Sequence, residues 1–431
     1  MIKTQTLIIG AGLTGLSAAY HLRGGYLITE ATNEVGGLSG TINYKGYKID
    51  HAIHIMYFKS DWVYEWLTKT IGIKFYKKER LSKVWMNHKF ISFPIQFNLS
   101  EFSFSKRLKI FFLILISRLR IFKLDKKIFI NWAMNNFGSL LTETFFKPYN
   151  QKLFGNNIEE LTTEWMGDYI PSPSLKLIWK GLFNLNKNKV GRNSFFYYPK
   201  NGGIGEVAIE IKNKLNGSIL YNEYLNSINI FEKIAYYRSG LKVKYDFLIT
   251  TIPLDKFLEK VEKLPIEIKL QTRLLKSNPI TLLHIMIKRK SIGGDLHWVY
   301  FPDISIPFYR ITFSHNLSQN NCPPDCSALT LEFGGIVYDK DEMIKKCFEI
   351  LIEAKLLNRV DIESEYLWEY FDDGYVFYDH NITKVRPLLL NFLQQNEIYS
   401  IGRYGNWEYS NMESAIIQGK ETAERMMYAK H

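Results

Sequence analysis

The sequence is poor in cysteine. Cys322, Cys326 and Cys347 are the only three in 431 residues, too few for a disulfide scaffold. The pair Cys322-Pro-Pro-Asp-Cys326 has no second pair or nearby histidine cluster to complete a metal site, so no metal is expected. Long apolar runs are missing too. The stretch Ile110-Phe-Phe-Leu-Ile-Leu-Ile116 falls far short of the roughly twenty residues a membrane-spanning helix needs. Lys106, Arg107, Lys109, Arg118 and Arg120 flank it, so it suits either a peripheral membrane contact or a buried helix, and the buried helix is the expectation. No leader precedes the first strand pattern, so a reducing cytoplasm is the expected compartment. No repeat or long disordered tract is visible. The net charge of +12 comes with no nucleic-acid recognition motif, so nucleic acid is not an expected partner. Solvated lysines or anionic partners account for the excess.

What the chain has in quantity is apolar and aromatic residues, 46% and 15%, enough for a sizeable core and two or three domains. Its organising stretch is Leu7-Ile-Ile-Gly10-Ala-Gly12-Leu13-Thr14-Gly15, a strand, a glycine turn and the start of a helix. Gly10 permits the turn, Gly12 admits a pyrophosphate to the backbone, and Gly15 lets helix and strand pack closely. The diphosphate then meets the free N–H groups of the helix running to Leu22. A second apolar run, Tyr26–Thr29, ends at Glu30, about twenty residues past Gly10, where a carboxylate suits ribose hydroxyls. Gly36-Gly37-Leu38 follow, and this Glu-x5-Gly-Gly extension resembles flavoenzymes that set backbone against the FAD diphosphate. FAD is the expected cofactor, with NAD and a structural glycine turn as alternatives.

Further along, Thr41–Asp50 reads as a hairpin around Lys45-Gly46, and Asp61 as the N-cap of a helix. Residues 79–93 read as paired strands, and 100–185 as a basic helical region broken by Pro148, Pro171 and Pro173. Strands at 218–250 lead back to the first sheet, 255–276 is helical, and 279–394 mixes strands with a helix over 340–358. A last strand, Ile398–Arg403, and a helix from Met412 close the chain. The pattern predicts an α/β fold. Its Rossmann-like FAD domain is discontinuous (1–60, 195–254, 395–431), with an inserted, largely helical domain at 61–194 and a mixed or antiparallel sheet domain at 255–394.

Several motifs then line up: Phe93-Pro-Ile-Gln96, Trp132, Phe146-Lys-Pro-Tyr-Asn150, Tyr198-Pro-Lys-Asn-Gly-Gly203, His297-Trp-Val-Tyr300, Pro307-Phe-Tyr-Arg310, Gly374-Tyr375 and Gly402-Arg-Tyr-Gly-Asn-Trp-Glu-Tyr409. The series resembles the UDP-galactopyranose mutases, especially their eukaryotic-type branch, within the amine-oxidase/protoporphyrinogen-oxidase-like flavoproteins, and it runs almost end to end. The resemblance implies a mutase that exchanges pyranose and furanose rings of a nucleotide-diphosphate sugar for surface polysaccharide. It implies FAD active when reduced, with N5 as nucleophile on the anomeric carbon and NAD(P)H as a candidate reductant. By the same resemblance Arg310 clamps the diphosphate and Tyr375 and Tyr409 donate to it. Lys147 stands for an arginine beside Asn150, Trp298 and Tyr300 lie near the nucleotide, and Trp132 belongs to a helical lid. Phe93 and Gln96 belong to the base-reading segment. Arg403, Gly203 and His54 lie at the flavin, and Leu13, Thr14, Leu38 and Met412 complete its surroundings. An ion pair is the plain alternative for Arg310, core packing for Tyr375, Tyr409, Trp298, Tyr300 and Trp132, and a satisfied structural histidine for His54. Three departures stand out: Ile95 replaces a base-stacking aromatic, the tyrosine expected a few residues after Arg310 has no counterpart near His315-Asn316-Leu317, and Ala52-Ile53 replaces Gly-Gly, where a β-branched residue would resist φ > 0. The runner-up is an amine- or protoporphyrinogen-oxidase-type oxidoreductase, which calls for an apolar tunnel; a noncatalytic FAD scaffold comes last. An oligomer is compatible with the sequence.

Overall fold

The computed structural model describes residues 1–119, 124–155, 157–167, 170, 174–185 and 194–428. Arg120, Pro171 and Pro173 lie outside them. Two seven-stranded sheets carry the molecule. The first runs Leu225–Asn229, Ile234–Tyr237, Lys242–Thr250, Ile2–Ile9, Tyr26–Thr29 and Ile219–Leu220, with Ile398–Ser400 also pairing to Lys242–Thr250. The pairings around Ile2–Ile9 and Ile398–Ser400 are parallel. Parallel strands are covered on both faces, which is why Leu7-Ile8-Ile9 reads as an unbroken apolar run and is buried throughout.

The C-terminal helix, Met412–Tyr428, lies across the helix Leu13–Leu22. Gly419 permits this approach, since a Cβ there would stand 2.5 Å from the Thr14 carbonyl oxygen. The Ser17 hydroxyl donates to the Ile416 carbonyl at 2.7 Å, which fixes the crossing.

The second sheet runs Glu365–Val376, Ser277–Ile287, Ser327–Gly334, Arg310–Phe313, Trp298–Tyr300, Ser82–Met86 and Lys89–Ser92. Its one parallel pairing joins Trp298–Tyr300 to Ser82–Met86. The mixed α/β class expected from the sequence is the one observed, and the second sheet takes two strands from the 61–194 segment.

Two local expectations need correction. Ser60, not Asp61, caps the helix that begins at Asp61, its hydroxyl accepting from the Val63 N–H. The helix Phe104–Leu119 is not wholly buried: Ile110 and Ile114 are 1% and 0% exposed, but Phe112 and Ile116 are 55% and 54% exposed. Consecutive apolar residues gave no sign of which side would face the core. Among the described residues no helix is long and apolar enough to cross a membrane, and no group of His, Cys, Asp or Glu is arranged to hold a metal.

Candidate active site

At the nucleotide end, the strand Ile2–Ile9 stops at Gly10, whose N–H donates to the Thr29 carbonyl at 2.8 Å. The helix Leu13–Leu22 then starts at Gly12 with no side-chain cap, so its first N–H groups face outward. Gly12 itself looks onto open space: the nearest atom to a Cβ there would be the Gly36 carbonyl oxygen, 3.9 Å away. The Gly36 N–H donates to Ala11 O at 2.9 Å and brings Gly36-Gly37 against the turn, with Leu38 half-buried beyond. An uncapped helix start facing an open cradle fits a dinucleotide diphosphate. Glu30 is buried, with one carboxylate oxygen accepting from the Ala11 N–H and the other from the Thr32 N–H and hydroxyl, at 2.8, 2.9 and 2.9 Å. The oxygen that accepts from Ala11 keeps a lone pair for a ribose hydroxyl. Thr14 lies under Gly402, and Met412 is buried at the start of the last helix.

Beyond this cradle the chain turns at His51–His54. Ala52 sits at φ 56°, so the left-handed residue of the turn is the alanine and not Ile53. The turn is braced from the second sheet. Glu369 takes hydrogen bonds from His51 Nδ1 at 2.8 Å and from the fully buried His284 Nε2 at 2.9 Å. Burial alone would raise the Glu369 carboxyl; the two histidines outweigh it and hold its pKa at about 2. Burial, reinforced by the Arg403 charge, lowers the His54 pKa to about 4, so its imidazole is neutral at pH 7. His54 Nδ1 is buried without a hydrogen-bond partner among the described residues, an orphan that a polar group of a bound ligand would complete.

Arg403 and Arg310 stand on the wall near His54. Arg310 begins its strand opposite Glu332 and grips that carboxylate twice, Nε–Oε1 at 2.7 Å and Nη2–Oε2 at 2.6 Å. Tyr309 donates to the same carboxylate at 2.9 Å. The last strand stops at Ser400, short of the expected Arg403, which lies instead in the short helix Gly402–Gly405, and its Nη1 donates to the Ser410 carbonyl at 2.8 Å. Its guanidinium carbon lies 4.7 Å from the ring centre of Tyr409 and 5.5 Å from that of Tyr375. Among the described residues it has no carboxylate partner. Tyr375 and Tyr409 stack at 6.1 Å, and Tyr149 and Tyr300 meet edge-on at 5.5 Å. Burial, then Tyr375, pushes Tyr409 up to about 12, so it remains an O–H donor. Arg310, Arg403, Tyr375, Tyr409, Tyr149 and Tyr300 are each half-buried, while Tyr309 and Glu332 are fully buried. Two surface grooves open, one beside this cluster and one apart from it. One of about 380 Å³ runs up to Tyr409 past Lys59 and Arg386, and one of about 620 Å³ lies by Cys322 and Cys326.

The structure thus brings His54, Arg310, Tyr375, Tyr409, Arg403 and Tyr300 together. The Trp298 indole donates to the Tyr300 hydroxyl at 2.8 Å and is itself buried, so it orients that phenol. Phe93 packs on Tyr300 at 4.7 Å. Gln96 is half-buried in a short turn whose Ile95 is fully buried, so Ile95 offers no stacking surface to a base. Other named residues are engaged locally. Lys147 pairs with Glu159 at 3.0 Å, Asn150 donates to its own helix at Phe146 O, and Trp132 packs on Phe129 and Phe137. The Gly203 loop is tied to Asn321, while its neighbours Ile204 and Gly205 bond Asp50 and Thr41.

Sequence reasoning missed Tyr149, Tyr309, Glu332 and Arg80. Glu332 carried a signal, a lone acid inside the apolar strand Ser327–Gly334. Tyr149 sits between the two residues chosen from its motif. Arg80, whose guanidinium carbon lies 5.2 Å from the Phe93 ring centre, had no motif around it.

The profile of flavin-containing amine oxidoreductases matches residues 13–427. Among solved structures, reduced UDP-galactopyranose mutase superposes with a TM-score of 0.91 at 23% identity, covering 100% of this chain and 95% of the other. A provisionally assigned protoporphyrinogen oxidase of Exiguobacterium superposes at 0.74 and a putrescine oxidase at 0.68, each 14% identical with 99% of both chains covered. At these identities the likeness concerns the fold.

Proposed function

The chain belongs to the flavin-containing amine oxidoreductase family, and we propose that it is an FAD-dependent mutase exchanging the pyranose and furanose forms of a sugar carried on a nucleoside diphosphate. One observation supports this reading: a half-buried Arg403, with no carboxylate partner among the described residues, stands with Arg310 around the phenols of Tyr375 and Tyr409. An enclosed cation with no carboxylate is costly unless an anion completes it. The runner-up chemistry, oxidation of an apolar substrate in a greasy tunnel, has no use for such a wall.

When bound and reduced, FAD would supply N5 as an electron-rich nucleophile. The Gly10–Gly15 turn, Glu30 and Gly36-Gly37 would hold its diphosphate and ribose, with His54 neutral beside the ring. On the substrate side, Tyr375 and Tyr409 donate O–H groups to phosphate oxygens. Arg310, with its fork on Glu332, presents its remaining Nη1 edge, and Arg403 supplies the uncompensated charge. Together they keep the departing nucleoside diphosphate within reach for the return step, where proximity replaces a second encounter. Such a mutase feeds furanose sugars to surface polysaccharide, and NAD(P)H is a suitable reductant.

The reading is tested by thermal unfolding with UDP, CDP, GDP and dTDP. A diphosphate present at about one hundred times its Kd stabilises by about 2.7 kcal/mol. At least one of the four should do so, and Arg403→Gln, which removes the cation that has no carboxylate among the described residues, should reduce the shift while FAD stays bound. No shift with any nucleotide overturns the reading.

A further inference from the structure

The positive charge of this chain is not spread over it. Residues 103–127 and 174–193 together carry 13 lysines and arginines and a single acid, Asp125, out of 55 basic and 43 acidic residues in all. The rest of the chain therefore holds 42 of each, and the whole net charge of +12 resides in these two stretches. Lys106, Arg107, Lys109 and Arg118 belong to the helix Phe104–Leu119, and Lys176 and Lys180 to the helix Leu175–Leu182. Lys123, Lys187, Lys189 and Arg192 continue the stretches in sequence, outside the described residues.

The two helices lie side by side. Phe111 meets Trp179 edge-on at 5.4 Å, and Arg107 donates to the Leu182 carbonyl at 2.8 Å. One face of the first helix enters the core through Ile110 and Ile114. The other turns Phe112, Ile116 and Leu119 outward, spaced four and three residues apart in a single stripe, 55%, 54% and 71% exposed. Trp179, Phe183 and Leu185 extend the patch at 50%, 46% and 54% exposed. Isolated exposed apolar residues need no explanation, but a contiguous aromatic patch rimmed by cations does.

We propose that this face docks peripherally on the surface of an anionic lipid bilayer. Aromatic and aliphatic side chains amid lysine and arginine match the boundary between headgroups and acyl chains, where the apolar face enters and the cations meet lipid phosphates. A second copy of the chain fits poorly, because its matching face would bring the same cations against these. A polynucleotide would leave the apolar centre uncovered. Attachment is superficial, since no described helix is built to cross a bilayer.

The test is sedimentation of the FAD-loaded full-length protein with vesicles of phosphatidylcholine alone and of phosphatidylcholine with about one-third phosphatidylglycerol. At about 0.15 M salt the anionic vesicles should bind at least tenfold more tightly, and about 1 M salt should remove that preference. Ile116→Glu with Leu119→Glu should weaken binding at least tenfold. Lys109→Glu with Lys176→Glu, which alters only exposed charges, should do likewise with the melting temperature unchanged. Bromine-labelled acyl chains should quench fluorescence in the wild type more than in Trp179→Phe. Equal binding to both vesicles, binding to neither, or a dimer broken by the Ile116/Leu119 variant without vesicle binding overturns the proposal.

Discussion

Arg310 and Arg403 both act on Tyr375 and His54, and their own surroundings are opposite. Arg310 is neutralised within the fold: a buried carboxylate takes its fork, a tyrosine supports the carboxylate, and both residues sit in register on neighbouring strands. Arg403 is held by the Ser410 carbonyl and the phenol rings of Tyr375, Tyr404 and Tyr409, none of which carries a charge at neutral pH. The first pair is finished without a ligand, whereas the second site is completed only by an anion. A guanidinium in a pocket is therefore not by itself a phosphate clamp; what matters is the charge that remains after the protein's own carboxylates are counted.

The comparison can be broken most forcefully at Glu332. Glu332→Gln leaves Arg310 enclosed and half-paired, and should lower stability by about 3–5 kcal/mol, read from the urea midpoint. Arg403→Gln should cost no stability in the ligand-free protein, because it removes an uncompensated charge. Equal losses in the two variants would erase the distinction. Against ligand the order reverses: Arg403→Gln should weaken nucleoside diphosphate binding about 10- to 100-fold by calorimetry, the worth of a charge-assisted hydrogen bond of about 1.5–3 kcal/mol.

His54 senses both arginines, and Arg403 more strongly. Its folded pKa of about 4 lies below the ordinary 6.5, so the unfolded chain takes up the proton first. Its contribution to stability is thus complete above pH 6.5 and is lost as pH falls toward 4, by no more than about 3 kcal/mol. His297, also lowered to about 4 by burial, accepts from the Leu81 N–H at 3.0 Å and adds to the same acid-side loss. Arg403→Gln should raise the His54 value and reduce this loss, measured from urea midpoints at pH 7.5 and pH 5. An unchanged difference would mean that Arg403 is already neutralised. The smallest effect concerns the turn that carries His54: Ala52→Gly, at φ 56°, should stabilise by about 1 kcal/mol.

The two ends of the site differed in how much the sequence revealed. The nucleotide cradle is made of backbone, so Gly10, Gly12, Gly36 and Glu30 carry its geometry in their order and spacing. The wall is made of side chains from strands and turns far apart in sequence. Arg310, Tyr375, Tyr409 and Arg403 were legible only through resemblance, and the register that sets Glu332 against Arg310 was not legible at all. Lys147 and Trp132, carried over by position alone, meet Glu159 and Phe129 within the helical region, because motif position does not fix where a helix points its side chains. The helix Phe104–Leu119 hid its outward face because apolar residues occupy every side of it over Ile110–Ile116.

The central claim, that the flavin works here on the sugar of a bound nucleotide, is tested most directly by NMR of the reduced protein with a panel of nucleotide-sugars. The account predicts appearance of the other ring form of at least one sugar, only after reduction by dithionite or NAD(P)H, with no net consumption of reductant. Turnover of an amine or other donor by the oxidised protein with uptake of oxygen, and no change in any nucleotide-sugar, would contradict it.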